Sequence, residues 1–413
     1  MKVWIFNPYG NLPGEGWSPY RSTSLASSLT KRGHEVVWWV SDFEHRSKKQ
    51  RPTGKIDFGD GFSAEVLSSS RYSRHVSLAR IKHERNYSRS LCHAVRVRTD
   101  RPDIIVHGEP AVCFSDISMG AVRLCRCAMV VDVIDLWPEL FEIIFPRIVR
   151  PFAKLLLGPL YQKRKKFLRQ ADGFLAVAQN YLKLAQSIAP KTPGAVAYLG
   201  ADTKLFLRND AQRPVDPRIA TLRKRPGEVW CVYVGTLGRN YDIDAVLQCA
   251  RRLTGSNVRI LVAGDGDCRT AVEHASKKGF VSYLGRLSFE SLITLYTNCD
   301  IALACYASGS TVSMPFKAFD YLAAGLPIVT SLRGDLEAFV CDHQLGQTYT
   351  AGDPDTLYSA IQALAQNTDF RRNAARRAKQ LGNMMDYDIQ YGFAADFLEK
   401  VAAQNRASVS IRI

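Results

Sequence analysis

Apolar residues along the chain gather in short continuous runs, and the stretches between them repeat with a helical period. Continuous runs of that length suit parallel strands buried on both faces, with helices crossing between them. Val3 to Phe6 is the first run, and it passes into a loop, Asn7 to Pro19, that holds Gly10, Gly14 and Gly16. Leu25, Ala26 and Leu29 then mark a helix closed by Gly33, and Glu35 to Val40 is the next strand. Strand, glycine loop, helix and strand in this order make a βαβ unit. Further strands are expected at Asp103–His107, Ala128–Asp132 and Gly173–Val177, the last preceded by a helical stretch from Ile148 to Arg169. Leu207–Glu228 is polar, carries Pro214, Pro217 and Pro226, and reads as a connection between domains. A second alternating set follows. Its strands are Val229–Val234, Val258–Ala263, Val281–Leu284, Ile301–Ala304 and Pro327–Thr330. Its helices are Asp242–Leu253, Cys268–Lys278, Ser288–Asn298 and Pro315–Ala324. The pattern predicts an α/β protein of two successive doubly wound halves.

Composition refines this picture without altering it. Of 413 residues, 46% are apolar and 23% charged, as in ordinary globular enzymes. The net charge of +16 is uneven: residues 1–200 carry 30 Lys and Arg against 17 Asp and Glu, and residues 201–413 carry 25 against 22. A basic first half suggests an anionic neighbour on that side. The ten cysteines are scattered, with no CxxC pair and no histidine cluster at zinc-ligand spacing, and read as reduced thiols in a cytosolic protein. The opening run, MKVWIF, is too short for a signal peptide, and no stretch has the roughly 18–20 apolar residues that span a bilayer.

Three constellations carry candidate chemistry. Val234-Gly-Thr-Leu-Gly-Arg239 is a strand ending in a glycine turn before a helix, where backbone N–H groups, the positive helix end and Arg239 would converge on a phosphate. Simple turn geometry explains the same glycines. Ala263-Gly-Asp-Gly266 lies at another strand end, the edge where open α/β sheets bind ligands, and Gly-Asp-Gly is equally a generic turn. The third runs from Gly309 through Ser313 and Pro315 into Phe-Lys-Ala-Phe-Asp-Tyr-Leu-Ala-Ala-Gly325. Here Lys317 and Asp320 share a helix face, as a nucleotide-diphosphate site or as a solvated i,i+3 ion pair.

Collinear motifs now give a resemblance. Arg32-Gly-His-Glu-Val36, Asp135-Leu-Trp-Pro-Glu139, Ala171-Asp-Gly-Phe-Leu-Ala-Val177 and Leu199-Gly-Ala-Asp-Thr203 mark the first half. Tyr233-Val-Gly-Thr-Leu-Gly238, Gly264-Asp-Gly266, Leu284-Gly-Arg286, Lys317-to-Pro327 and Arg333-Gly-Asp335 mark the second. Together they resemble bacterial retaining glycosyltransferases of the GT-B fold, glycosyltransferase family 4, in the branch that builds O-antigen and capsule. The resemblance implies two Rossmann-like domains facing each other across a cleft. Residues 1–206 would hold the acceptor and 207–385 the nucleotide-sugar donor, with 386–413 a helical segment packing back on the first domain. It implies a UDP-, GDP- or dTDP-sugar as donor, a lipid-linked saccharide as acceptor, and neither cofactor nor metal. By position, Thr236 and Arg239 fall at the donor diphosphate, Lys317 is the basic residue of the donor helix, Asp320 falls at the ribose and Arg286 near the base, with Gly235, Gly264 and Ser313 also donor-binding. The family's paired glutamates fall at Val312 and Asp320 here, which leaves the sugar-hydroxyl contacts unassigned.

On the acceptor side, His107, Glu109 and Asp135 follow strands and are the candidate catalytic residues, with Gly14, Gly16 and Arg21 as an acceptor-side loop. Basic residues from Arg71 to Arg98, and Arg147 to Arg169 with its interleaved apolar residues, suit an anionic membrane surface. That would place a cytoplasmic protein at the inner face of the plasma membrane. No nucleic-acid-binding motif accompanies the charge. The competing readings are a GT-B sugar-nucleotide 2-epimerase and an inactive donor-binding partner of another transferase.

Overall fold

A computed structural model describes the chain except residues 16–19, 46, 74–76, 110–112, 143–144, 146–148, 208–214 and 411–413. It divides into two compact units, Met1–Leu199 with Asp388–Ile413, and Gly200–Tyr387. All ten cysteines are free thiols.

The first unit is built on eight strands: β1 (Lys2–Phe6), β2 (Glu35–Ser41), β3 (Gly54–Gly59), β4 (Phe62–Leu67), β5 (Ile104–Glu109), β6 (Ala128–Val133), β7 (Gly173–Ala176) and β8 (Gly194–Val196). Their order is β3-β4-β2-β1-β5-β6-β7-β8, and only β3 runs antiparallel to its neighbour. The apolar runs of β1 and β2 are buried because helices cover both faces of the sheet. Trp4 and Trp39 meet edge-on beneath one layer, with ring centroids 5.1 Å apart. The β3–β4 hairpin is absent from the apolar-run reading, since β3 alternates exposed and half-buried positions. Its turn, Asp60-Gly61, has φ of 49° and 81°, as a tight hairpin turn requires.

Arg21 opens the helix Arg21–Thr30 and is almost wholly buried. Its Nε and Nη2 donate to the Asp132 carboxylate at 2.9 and 2.8 Å, and Nη1 donates to the carbonyl of Ala197 at 2.5 Å. The ring of Tyr391, 5.4 Å away, covers the guanidinium. The expectation of Arg21 in an acceptor loop is therefore corrected: all three of its nitrogens are spent on the fold. Tyr391 belongs to the helix Tyr387–Ser410, whose Phe397 and Val401 press on Gly173 and whose Glu399 reaches His34 at 2.8 Å. The expected single helix from Ile148 to Arg169 is two, Arg150–Leu156 and Gly158–Leu168. Gly158-Pro159 at the junction interrupts the ladder, because proline has no N–H to donate.

Six parallel strands form the second unit: β9 (Val229–Val234), β10 (Val258–Ala263), β11 (Val281–Gly285), β12 (Ile301–Ala304), β13 (Ile328–Thr330) and β14 (Gly346–Thr348). Their order is β11-β10-β9-β12-β13-β14. The segment expected to join the domains lies within this unit. Thr203–Leu207 and Pro217–Ala220 are helical, and Arg218 donates to the carbonyls of Leu284 and Arg286 at 2.6 and 3.0 Å. The chain instead passes between units at Leu199–Gly200 and again at Tyr387–Asp388.

Removing one partner of a buried ion pair leaves the other charge stranded in a low-dielectric interior, at about 3–5 kcal/mol. Asp132→Ala is expected to lower unfolding stability in urea by about that amount. An unchanged midpoint would mean that the Arg21 pair does not hold the unit together.

Candidate functional site

In the second sheet the strand order reverses between β9 and β12, and crevices at the carboxyl ends of strands on either side of such a reversal bind ligands. β9 ends in Gly235 (φ 139°) and β10 in Gly264 (φ 148°), and the two turns nearly touch. A Cβ on Gly264 would lie 1.8 Å from the carbonyl oxygen of Gly235, so only glycine allows this approach. The resulting cavity, of about 360 Å³, is lined by Gly235, Thr236, Gly264, Asp265 and Arg286 among others. Four of the sequence-assigned donor residues therefore share one cavity. Arg218, which the sequence reading missed, braces the Gly285–Arg286 loop from behind through the two carbonyls it holds.

Lys317 stands in the first turn of the helix Phe316–Ala324, with Pro315 at its N-cap. Backbone N–H groups of a first helical turn lack intrahelical partners, so the positive helix end and the lysine add together. The lysine stem is part-exposed, yet Nζ is buried and has no hydrogen-bond partner. It lies 4.4, 4.7 and 5.1 Å from the ring centres of Tyr233, Tyr241 and Tyr306, and 3.0 Å from where a Cβ on Gly235 would be. Rings can soften an isolated ammonium but cannot neutralise it. Burial accordingly pulls its pKa down to about 7.

The alternative reading, a solvated i,i+3 ion pair between Lys317 and Asp320, does not hold: Lys317 Nζ has no hydrogen-bond partner. Lys317 reaches toward Gly235, while Asp320 lies near Tyr296, and burial pushes the Asp320 carboxyl up to about 7. Two further expectations are corrected. The Ser313 hydroxyl donates to Asp335 Oδ1 at 3.0 Å and accepts from the Asp335 N–H at 3.0 Å, which anchors the helix Asp335–Asp342 rather than a ligand. The turn bearing Arg239 does not open directly into a helix, which begins at Ile243. Asp242, at that helix's N-cap, accepts from Tyr349 Oη and Gly352 N–H at 3.0 and 2.7 Å. Arg239 itself is exposed.

In the first unit, a cavity of about 190 Å³ sits at the carboxyl ends of β1, β2, β5 and β6, where the strand order reverses between β1 and β5. Glu109 and Asp135 line it; His107 does not. His107 is wholly buried between Phe114 and Phe167, its Nδ1 is 2.7 Å from Ser118 Oγ, and burial lowers its pKa to about 3. It is a core residue, and the expectation of a catalytic histidine is corrected. Burial lifts Glu109 to about 7, against the pull of Arg164, whose Nε is 2.9 Å from Oε1. Asp135 is likewise raised by burial, although its Oδ1 accepts the Leu136 N–H at 2.9 Å. Gly14 has open space around it and φ of 86°, and Gly16 lies outside the described residues.

Arg80, expected in a basic surface stretch, instead lines this cavity. Its guanidinium lies over the rings of Tyr9 and Trp137 at 4.7 and 4.3 Å, and its Nε donates to Tyr9 Oη at 3.1 Å. Arg98 is also spent internally, on Glu65 and Asp100. Lys82, Arg85, Arg89 and Arg96 stay exposed on the helix Leu78–Val97, so the stretch keeps a basic face from which Arg80 and Arg98 are withdrawn.

Residues 228–367, within the second unit, match the family profile described as Glycosyl transferases group 1. No curated protein matches the sequence. Sucrose-phosphate synthase from Thermosynechococcus elongatus is similar in structure, with TM-score 0.75 and 14% identity over 98% of this chain and 100% of that one. Anabaena HepE in complex with UDP gives 0.64 at 14% identity, over 97% and 100%. WaaG, a glycosyltransferase involved in lipopolysaccharide biosynthesis, gives 0.63 at 14%, over 96% and 99%. The fold is therefore GT-B, with two Rossmann-like units.

The depressed Lys317 pKa has a definite sign. Between about pH 7 and the ordinary 10.5, the unfolded chain holds a proton that the folded chain lacks, so stability rises with pH across that window. Ligand-free Lys317→Met is expected to melt at or above the parent temperature at pH 7, an advantage that shrinks toward pH 10. A variant that melts lower at pH 7 would contradict the buried, unpaired ammonium.

Proposed function

We propose that the protein is a retaining glycosyltransferase of family 4. It moves a sugar from a nucleotide diphosphate to a hydroxyl of a lipid-linked saccharide, in surface-polysaccharide synthesis at the inner face of the plasma membrane. The observation that carries this reading is the buried ammonium of Lys317, without a counter-charge, at the helix N-terminus beside Gly235. A diphosphate supplies the missing negative charge. Support also comes from the Glycosyl transferases group 1 match and from structural neighbours solved with UDP or UDP-glucose.

On this reading Gly235 and Thr236 approach the phosphates, Asp320 accepts from the ribose hydroxyls, and the Arg286 loop lies near the base. The acceptor oxygen bonds to the anomeric carbon on the face from which the phosphate leaves. The hydroxyl proton passes to the departing β-phosphate oxygen, so no enzymic nucleophile is needed. Lys317, with Arg239 closing from the exposed turn, stabilises the charge growing on that phosphate in place of a metal.

The membrane side of the reading rests on the helix Arg150–Leu156. Phe152, Leu155 and Leu156 are 63%, 79% and 59% exposed there, beside exposed Lys154, Lys165 and Lys166. Exposed apolar residues interleaved with cations suit the headgroup layer of an anionic bilayer. Among the described residues, no helix is long and apolar enough to cross one.

A thermal-shift panel of UDP-, GDP- and dTDP-sugars should single out one nucleotide. Lys317→Ala should then weaken its binding by about tenfold or more. Wild-type affinity for the nucleotide sugar should fall above pH 7, approaching about tenfold per pH unit as Lys317 loses its proton. Product analysis by NMR should find the anomeric configuration of the donor retained. If no nucleotide binds, or Lys317→Ala binds as well as the parent, the reading is wrong. Anionic vesicles should sediment the chain, and Leu155→Glu should release it; binding indifferent to that change would remove the membrane contact.

A further inference from the structure

The Gly235 and Gly264 turns lie at the carboxyl ends of β9 and β10. A separate cavity lies at the opposite end of the sheet, where Glu228, Val258 and Val281 lead into or begin β9, β10 and β11. Its volume is about 680 Å³, against about 360 Å³ at the carboxyl ends, and among the described residues none lines both.

Its charge is one-sided. Arg218, Arg223, Arg225 and Arg259 line it, and Glu228 is the acid among the described lining residues. Two of the four arginines are balanced where they stand. Arg218 pairs with Asp216 at 2.6 Å and holds the carbonyls of Leu284 and Arg286, and Arg225 pairs with Glu228 at 3.1 Å. Glu228 has little left to offer, since its Oε2 accepts from Trp230 Nε1 and from the Arg225 N–H, both at 2.9 Å.

Arg223 and Arg259 pair with no carboxylate among the described residues. Arg259 is half-buried on β10 and donates through Nε to Ser282 Oγ at 2.8 Å, which leaves both Nη groups without an acceptor. Arg223 spends Nη1 on the carbonyls of Ala220 and Leu222 at 2.5 and 3.0 Å, which leaves Nε and Nη2. Two uncompensated guanidinium groups in one concavity raise its potential and match a dianion in charge. A phosphate monoester carries about −1.5 to −2 near pH 7 and presents three acceptor oxygens to such forks. The volume falls within the range of about 300–1,000 Å³ typical of small-molecule sites, so a bare phosphate would leave most of it empty. Half-buried Leu222 and Phe280 supply apolar surface for the rest of a ligand.

We propose that this cavity binds a small organic phosphate monoester, its charge met by Arg223 and Arg259 and its body lying against Leu222 and Phe280. The site is distinct from the carboxyl-end cavity, so its ligand and a nucleotide are held at the same time. It does not depend on the glycosyl-transfer reading.

The test titrates phenyl phosphate, inorganic phosphate and phenol into the full chain by calorimetry, with and without saturating UDP. Phenyl phosphate should bind about threefold or more tightly than inorganic phosphate and about tenfold or more tightly than phenol. Saturating UDP should leave a phenyl phosphate site open. Arg259→Gln should weaken that binding by about tenfold, and the more exposed Arg223→Gln by about threefold, with melting temperatures near the parent's. Should Arg259→Gln not fold, the surface substitution Arg223→Glu decides, and it should remove the binding. Displacement of phenyl phosphate by UDP, or unchanged binding in Arg223→Glu, overturns the proposal. So does phenyl phosphate that binds no better than phenol or than inorganic phosphate. If UDP itself fails to bind, the nucleotide reading falls, while the phenyl phosphate titrations of parent and variants still decide this one.

Discussion

A parallel strand pair cannot be closed by a tight turn, so the chain must cross one face of the sheet and re-enter at the far end. All connections between such strands therefore leave from one edge, and where the winding direction reverses, neighbouring loops part and open a crevice. In the first unit that reversal lies between β1 and β5, and in the second between β9 and β12. Asn7, Tyr9, Glu109 and Asp135 cluster at the first reversal because their strands end there. Gly235, Tyr306 and the lysine they surround cluster at the second. The candidate chemistry on each side follows from topology before any particular side chain is chosen.

The strands were legible because parallel burial demands unbroken apolar runs, and Val229–Val234, Val258–Ala263 and Ile301–Ala304 carry no polar residue on either face that would blur the signal except Arg259. The β3–β4 hairpin was not, because its outer strand sits half in solvent. The helix Leu78–Val97 was hidden for a related reason: its many cations suggested a surface, although Arg80 turns inward onto Tyr9 and Trp137. Lys317 could be read as important from its motif. Its surroundings could not, since Tyr233, Tyr241 and Tyr306 come from separate loops and strands that only the folded sheet brings together. Arg21 and His107 were misread in the same way. A charge or imidazole beside a glycine loop or a strand end looks available in sequence, and burial alone decides otherwise.

Both units bury charged groups without hydrogen-bond partners: the Lys317 ammonium in the second, and the Lys48 ammonium and Glu109 Oε2 in the first. Each defect lowers the stability of the empty protein and is relieved by a ligand of complementary charge or hydrogen-bonding character. Such sites select by what they lack. The lysine among three tyrosines favours an anion over any neutral molecule of similar size.

The helix Tyr387–Ser410 is translated after the whole of the second unit, yet it completes the first. Until it emerges, Gly173 on β7 lacks the cover of Phe397 and Val401, and the Arg21 guanidinium lacks the Tyr391 ring. The first-synthesised unit thus lacks that cover while the ribosome makes residues 200–387, roughly ten seconds or more at about 5–20 residues per second. The second unit, continuous in sequence, can close on its own schedule. Biogenesis therefore runs against chain order, with the later-made Rossmann unit able to finish first and the earlier one waiting, partly unroofed, for its last helix.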